Sequence, residues 1–130
     1  MKKIATISLI DDDKIYQFIT KRLIESTGAV DQVLQFHDGE EAFEYLKANQ
    51  QNDHLLPDLI LLDLQMPYMD GWQFLERYIE LGFAKNITIY IASSSISKHD
   101  QERTGYYNEV KGFLVKPINK KEFIAIIEEL

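Results

Sequence analysis

The feature that most constrains the fold is the alternation of two hydrophobic periods along the whole chain. Short aliphatic segments typical of buried strands occur five times, at residues 4–10, 33–36, 59–62, 87–92 and 112–115. Between them lie stretches with the apolar spacing of helices, the fourth of which, around residues 100–107, is short and polar. Because strands that alternate with helices form parallel sheets through right-handed crossovers, the pattern predicts an α/β protein with one doubly wound five-stranded parallel sheet and helices on both faces.

Apolar stripes at helical spacing support this architecture. In the first predicted helix, Ile15, Ile19 and Leu23 are interpreted as one apolar face. The other stripes are Ala42, Phe43 and Leu46, then Trp72, Leu75 and Ile79, and finally Phe123, Ile126, Ile127 and Leu130. Each predicts a helix that packs on the sheet.

Length and composition limit the class of protein. A chain of 130 residues has room for one domain, predicted to span residues 1–130. It has no cysteine, which excludes disulfides and thiolate metal sites, and its formal net charge of -7 argues against direct nucleic-acid binding. The N-terminal apolar run meets an aspartate triplet too soon for a signal peptide, and no apolar stretch approaches the roughly 20 residues that cross a bilayer. A cytoplasmic protein without membrane contact is expected.

Polar residues follow four of the predicted strands directly. Asp11 and Asp12 follow the first, Asp63 the third, a serine run from Ser93 the fourth, and Lys116 the fifth. The carboxyl ends of parallel strands share one edge of the sheet, where ligands bind. The sequence therefore predicts a site there with carboxylates, a hydroxyl and an ammonium group.

The residue types at this edge indicate phosphoryl chemistry. If the first and third strands are neighbours, Asp12 and Asp63 come within a few ångströms, and their charges repel unless a cation lies between them. Oxygen ligands without cysteine favour a hard ion such as Mg²⁺, and Lys116 adds a second positive charge. Asp63 could then attack phosphorus as a nucleophile, while Ser93 donates a hydrogen bond to a phosphoryl oxygen. Asp13 and the Asp70–Gly71 pair are interpreted as helix caps and turn residues instead.

Four motifs carry a resemblance to a known family. These are LIDDD at the first strand end, LLDLQMPYMDG around Asp63, the serine run, and FLVKP at the fifth strand. In this order they resemble the receiver domain of two-component response regulators, over residues 4–130. The resemblance implies the flavodoxin-like strand order 2-1-3-4-5.

The resemblance also implies roles at the acidic edge. Asp63 would be the phosphoacceptor, and Asp12, Asp63 and the backbone carbonyl of Gln65 would bind Mg²⁺, with Asp11 assisting. Lys116 would pair with the phosphoryl group.

The resemblance also implies a conformational switch that responds to phosphorylation. Ser93 would be the switch hydroxyl, with Ser94 as the alternative because three serines follow one another. Phe113 would be the switch aromatic, packing inward when the hydroxyl moves, although plain core packing is its other interpretation. Tyr106 and Tyr107 are interpreted as an exposed pair on the fourth helix, and the Lys116–Pro117 bond is expected to be cis.

The function implied is that of a phospho-switch rather than an enzyme beyond self-catalysed phosphorylation and dephosphorylation. A sensor histidine kinase or histidine phosphotransfer protein would supply the phosphoryl group, and a downstream protein would recognise the changed surface around helix four, strand five and helix five. The domain either acts alone or is part of a longer regulator.

Two alternative functions remain open from the sequence. A haloacid-dehalogenase-type phosphatase carries its nucleophile on the first strand with an aspartate two residues beyond, whereas Asp63 lies on the third strand and Gln65 stands two beyond it. The other rival is a degenerate receiver that binds partners without phosphorylation.

Overall fold

The computed structural model describes residues 2–130. Its elements, in chain order, are β1 (Ile4–Ile10), α1 (Lys14–Thr27), β2 (Val30–Phe36), α2 (Gly39–Ala48), a 3₁₀ turn (Asp53–Leu55), β3 (Leu59–Leu62), α3 (Gly71–Leu81), β4 (Thr88–Ser93), α4 (Lys98–Thr104), β5 (Val110–Val115) and α5 (Lys120–Glu129).

The five strands form one parallel sheet in the order β2-β1-β3-β4-β5, which confirms the predicted fold class and strand order. Ile10 lies opposite both Phe36 and Leu62, and Leu62 lies opposite Ile91. The carboxyl ends of β1, β2 and β3 are therefore level, and the residues that follow them share one edge.

The central strand β3 lies between two apolar layers. All four of its residues are buried because neighbouring strands flank it and helices cover both faces. Ile60 and Leu62 pack in the layer that includes α2 and α3, whereas Leu59 and Leu61 pack in the layer that includes α1 and α5. The alternation of side chains along a strand explains this division.

Helix α1 is present, but the interpretation of its apolar stripe was wrong. Ile15 is 73% exposed and Ile19 is 56% exposed. The face turned inward carries mostly polar residues, including the buried Gln17. That face is tolerated because the Gln17 amide donates to three backbone carbonyls at the ends of β1 and β2, those of Leu9, Asp11 and Phe36.

The edge strands are longer than the sequence predicted. β2 begins at Val30 rather than at residue 33, and β5 begins at Val110 rather than at residue 112. Both strands lie at a sheet edge, where exposed polar residues such as Asp31 and Lys111 fit the ladder but interrupt the aliphatic run.

The fourth helix begins and ends earlier than predicted, at Lys98–Thr104 rather than around residues 100–107. Ser97 caps it by accepting a hydrogen bond from the Asp100 amide, and the Asp100 side chain completes a capping box. The predicted caps at Asp13 and Asp70 are confirmed, because each accepts hydrogen bonds from backbone amides at the start of its helix. Within residues 2–130, no helix combines the length and apolar character needed to span a membrane.

Candidate functional site at the carboxyl edge of the sheet

Three carboxylates meet at the carboxyl edge. Asp11, Asp12 and Asp63 each place one oxygen within 4.8 Å of the others. Asp11 is 2% exposed and Asp63 is 6% exposed, whereas Asp12 is open to solvent. The cleft above them is also lined by Gln65, Met66, Trp72, Ser94, Asp100 and Lys116.

Backbone hydrogen bonds fix the two buried aspartates. The Asp11 amide donates to the Phe36 carbonyl at 3.0 Å, and the Asp63 amide donates to the Ile10 carbonyl at 2.9 Å. Both residues therefore continue the ladder by one position beyond the strands. Their carboxylates come together because β1 and β3 pair in register.

The turn after Asp63 requires a glycine. A Cβ atom on Gly71 would lie 2.5 Å from the Asp63 carbonyl oxygen and 2.9 Å from the Cα of Leu64. No side chain fits at that distance, and the Gly71 amide donates to the Leu64 carbonyl at 2.9 Å. The close approach seats the start of α3 against the residue that carries the central carboxylate.

Lys116 supplies a positive charge inside this cluster. Its ammonium donates to the Asp11 carboxylate and lies 3.4 Å from an oxygen of Asp63. Its backbone amide donates to the Ser93 carbonyl at 2.9 Å, which fixes the start of the side chain. The Lys116–Pro117 peptide is cis, as predicted.

The buried carboxylates are electrostatically unfavourable. Burial raises the pKa of Asp63 to about 6, the charge of Asp11 adds to that rise, and Lys116 opposes it. Burial also raises the pKa of Asp11, again against the opposing hydrogen bond from Lys116. One ammonium thus faces two buried carboxylates and an exposed third. The oxygen-only donor set fits a hard divalent cation, which would remove the excess negative charge.

The serines divide between two environments. Ser93 is the last residue of β4 and is buried, and its hydroxyl donates to the Ser95 carbonyl at 3.1 Å. Ser94 is exposed and lines the acidic cleft. Ser93 and Ser94 both remain candidates for the switch hydroxyl, with Ser93 adjoining the backbone of Lys116.

Of the two remaining predicted residues, Gln65 lines the acidic cleft and Phe113 does not. Gln65 is exposed and lines the cleft, and its backbone amide opposes the rise in the pKa of Asp63. Phe113 lies on the edge strand β5, opposite Ile91, and is 40% exposed. It is therefore not a core residue in this structure. The proposed metal role of Gln65 and the switch role of Phe113 stay predictions.

The prediction of an exposed tyrosine pair on the fourth helix was wrong, because both tyrosines follow α4, which ends at Thr104, and only one of them is strongly exposed. Tyr106 is 83% exposed. Tyr107 instead stacks on Trp72 with ring centroids 5.8 Å apart and donates to the Glu76 carboxylate. Arg103 lies over the same Trp72 ring at 4.5 Å, so the end of α4 is held against α3.

Two residues of α1 lie near the site and were not predicted from the sequence. The Tyr16 ring lies under the Lys116 ammonium, which is 4.4 Å from its centroid. The Gln17 amide fixes the Asp11 carbonyl. Neither is visible in the sequence as part of a motif, because each reaches its partner through the first turn of a helix that follows Asp11 closely.

The fold and this cluster together define the class of protein. The sequence model of the response regulator receiver domain family matches residues 7–128 of this chain. The chain belongs to this family, which confirms the resemblance seen in the sequence. Receiver domains are signalling domains, not classical enzymes; they bind Mg²⁺ at an acidic pocket and interact with histidine kinases and downstream targets.

Curated relatives include regulators that are longer than this chain. The probable methanogenesis regulatory protein FilR2 of Methanothrix harundinacea is 27% identical over 95% of this chain and 79% of its own length. The nitrate/nitrite response regulator protein NarL of Escherichia coli is 29% identical over 96% of this chain, which spans only 54% of NarL.

Solved structures give the same fold. A two-component response regulator from Cytophaga hutchinsonii has a TM-score of 0.88 and 24% sequence identity, covering 98% of this chain and 97% of its own. At that identity the likeness concerns the fold, and the chemistry of the site depends on the residues described above.

Proposed function

We propose that residues 1–130 form one receiver domain that accepts a phosphoryl group on Asp63 from a histidine kinase or histidine phosphotransfer protein, in a Mg²⁺-dependent reaction. The observation that carries the proposal is the buried Asp63 carboxylate, beside Asp11 and 3.4 Å from the Lys116 ammonium, in a cleft with excess negative charge. A structural carboxylate would be paired fully, whereas this one is left short of positive charge.

The metal would be held by Asp12, Asp63 and the backbone carbonyl of Gln65, with Asp11 assisting. Three carboxylate oxygens within 4.8 Å of one another support this donor set. When bound, the cation supplies charge neutralisation for the acceptor and for the phosphoryl oxygens.

The reaction needs only a small set of groups from the chain. An oxygen of Asp63 forms a bond to phosphorus while the phosphorus–nitrogen bond of the donor phosphohistidine breaks, and the electron pair stays with the leaving imidazole, which takes up a proton. Lys116 moves its ammonium from the carboxylates to the transferred phosphoryl oxygens. Ser93 donates a hydrogen bond to one of those oxygens and thereby moves toward the site.

The donor would dock along α1. Ile15 and Ile19 are exposed there and form a groove with Pro117. Ser94 and Lys116 line both this groove and the acidic cleft, so the two are continuous. A helix of the phosphodonor that buries its apolar face on Ile15 and Ile19 would bring its phosphohistidine to the open side of Asp63.

The signal would leave through the face formed by α4, β5 and α5. Phe113, Val115 and Tyr106 expose apolar surface there. Movement of Ser93 toward the phosphoryl group would open space for the Phe113 ring, and the altered face would bind a downstream protein. Because Phe113 has no hydroxyl, the change acts by packing alone.

The test is intact mass after incubation with acetyl phosphate and Mg²⁺. The wild type and Asp31→Asn, a variant at an exposed aspartate of β2, should each gain one phosphoryl group. Asp63→Asn should gain none, and chelation of the metal should abolish labelling.

The rivals give different results. Continued release of inorganic phosphate from p-nitrophenyl phosphate, dependent on Asp63, would support the phosphatase. Absence of labelling together with absence of Mg²⁺ binding in calorimetry would support the degenerate receiver.

A further inference from the structure

Tyr16 contacts the reactive centre without being one of its titrating groups. It lies in the first turn of α1, and its backbone amide donates to the Asp13 side chain at 3.1 Å. Its ring faces Lys116, whose ammonium nitrogen is 4.4 Å from the ring centroid. This distance is within the range of a cation–π contact.

The hydroxyl of Tyr16 does not explain why the residue is there. Across residues 2–130, this buried oxygen makes no well-formed hydrogen bond. Burial raises the pKa of the phenol, and a weak interaction with the Thr20 side chain, one turn further along α1, partly opposes that rise. A buried hydroxyl that is paired so poorly is unfavourable. The favourable contribution of the side chain must therefore come from its ring, which packs against the ammonium.

Lys116 needs this contact because its other partners, the Asp11 and Asp63 carboxylates, are the groups that would bind the cation. Its ammonium is held by Asp11 and lies 3.4 Å from Asp63. A lysine side chain is flexible. When a cation neutralises its carboxylate partners, the ion pairs that hold the ammonium in one position become weaker. An uncharged aromatic face attracts the ammonium without competing for the carboxylates.

We propose that Tyr16 is a positioning residue that holds the Lys116 ammonium beside Asp63 through the face of its ring. The proposal rests on the phosphoacceptor function of Asp63 proposed above, and it adds a residue and a physical contact to that site. Its distinguishing feature is that the ring matters and the hydroxyl does not.

The experiment compares three variants with the wild type. Tyr16→Phe keeps the ring and removes the poorly paired hydroxyl, and Tyr16→Leu removes the ring. Phe18→Leu is the matched control, because it removes an aromatic ring on the same helix that lies 5.5 Å from the Arg22 guanidinium, outside the acidic cleft. Urea unfolding verifies that each variant is folded, and Tyr16→Met replaces Tyr16→Leu if the latter is not.

The first readout is the rate of phosphorylation by acetyl phosphate at saturating Mg²⁺. Tyr16→Leu should be about tenfold slower, while Tyr16→Phe and Phe18→Leu stay within about twofold of the wild type. In a Lys116→Met background, Tyr16→Leu should change the residual rate by less than about twofold, because its effect passes through the lysine. Equal rates in the wild type and Tyr16→Leu, or loss of rate in Tyr16→Phe, would overturn the proposal.

The second readout does not require phosphorylation. The ε-methylene protons of Lys116 lie near the ring and should show an upfield ring-current shift in the wild type and in Tyr16→Phe that disappears in Tyr16→Leu. If the wild type accepts no phosphoryl group, the proposed function fails and so does a role for Tyr16 in it, even if the shift is observed. If phosphorylation occurs and the shift is absent from the wild type, only the role of Tyr16 fails.

Discussion

Two aspartates flank the central strand β3, one at each end, and they differ in burial and in charge pairing. Asp58 precedes β3, and its carboxylate accepts hydrogen bonds from the amides of Ala5 and Thr6 at 3.1 Å and pairs with Lys85 at 2.9 Å. Asp63 follows β3, is buried beside Asp11, and shares one lysine with it. Its pKa is raised to about 6, chiefly by burial.

The difference separates structural carboxylates from reactive ones. At the amino end the charge is matched by donors, so Asp58 connects β3 to β1 and to the loop before β4. At the carboxyl end the charge is left underpaired, which fits the proposed binding of a cation and transfer of a phosphoryl group at Asp63. Both residues are aspartates directly next to the same strand, but they differ in burial and in their partners.

The largest effect is expected from Gly71→Ala, which tests how closely the carboxyl end is packed. The added Cβ would contact backbone atoms of Asp63 and Leu64, which cannot move away without distorting the end of the strand. We expect a loss of about 3 kcal/mol in the free energy of unfolding, measured in urea.

Gly82→Ala, at the other end of α3, is the matched control. Its Cβ would meet open space, so only the strain of φ 65° remains and the loss should be about 1 kcal/mol. Equal losses in the two variants would mean that the close approach at Gly71 is unimportant.

Asp58→Ala tests the structural carboxylate. Two backbone amides and Lys85 lose their acceptor, so the free energy of unfolding should fall by about 2 kcal/mol. Asp31→Ala, at an exposed position of β2, should change it by less than about 0.5 kcal/mol. A loss at position 58 no greater than at position 31 would remove the contrast between the two ends of β3.

Asp63→Asn should change the free energy of unfolding in the opposite direction, toward greater stability. The amide carries no charge to desolvate and does not repel Asp11, so at pH 8 and without divalent ions the variant should be more stable than the wild type by about 1–2 kcal/mol. Urea unfolding in the presence of a chelator measures this gain. A destabilised variant would show that the Lys116–Asp63 contact outweighs burial and repulsion.

The gain should depend on pH in a defined direction. The pKa of Asp63 rises from an ordinary value of 3.8 to about 6 in the folded protein. Well below pH 4 the group is protonated in both states and the advantage of Asp63→Asn should vanish. Between about pH 4 and pH 6 the unfolded wild type ionises while the folded protein keeps the proton, so the advantage should grow with pH and then level off above pH 6, where both states are ionised. A gain of constant size from pH 4 to pH 8 would contradict this origin.

The sequence predicts most of the fold because the signals are local. Five aliphatic runs separated by helical stripes specify a parallel α/β sheet, and a run that ends abruptly on an aspartate marks Asp63. The edge strands were less predictable, since residues such as Asp31 and Lys111 face solvent and break the pattern.

Other parts of the site depend on contacts that no local pattern encodes. The inward face of α1 is polar because Gln17 finds backbone carbonyls from two strands. The contact of Tyr16 with Lys116 joins residues 100 positions apart. Asp11 and Asp12 are adjacent and chemically identical, yet one is buried against Lys116 and the other is exposed.

Trp72 gives the molecule an optical property that follows from its place. It is the only tryptophan in the chain, it borders the acidic cleft, and its ring contacts both Arg103 of α4 and Tyr107 just beyond that helix. We therefore expect its fluorescence to respond both to the charge of the cleft and to the position of α4. A single emission spectrum, with no attached dye, should report on the proposed phosphorylation site and on the proposed output face together.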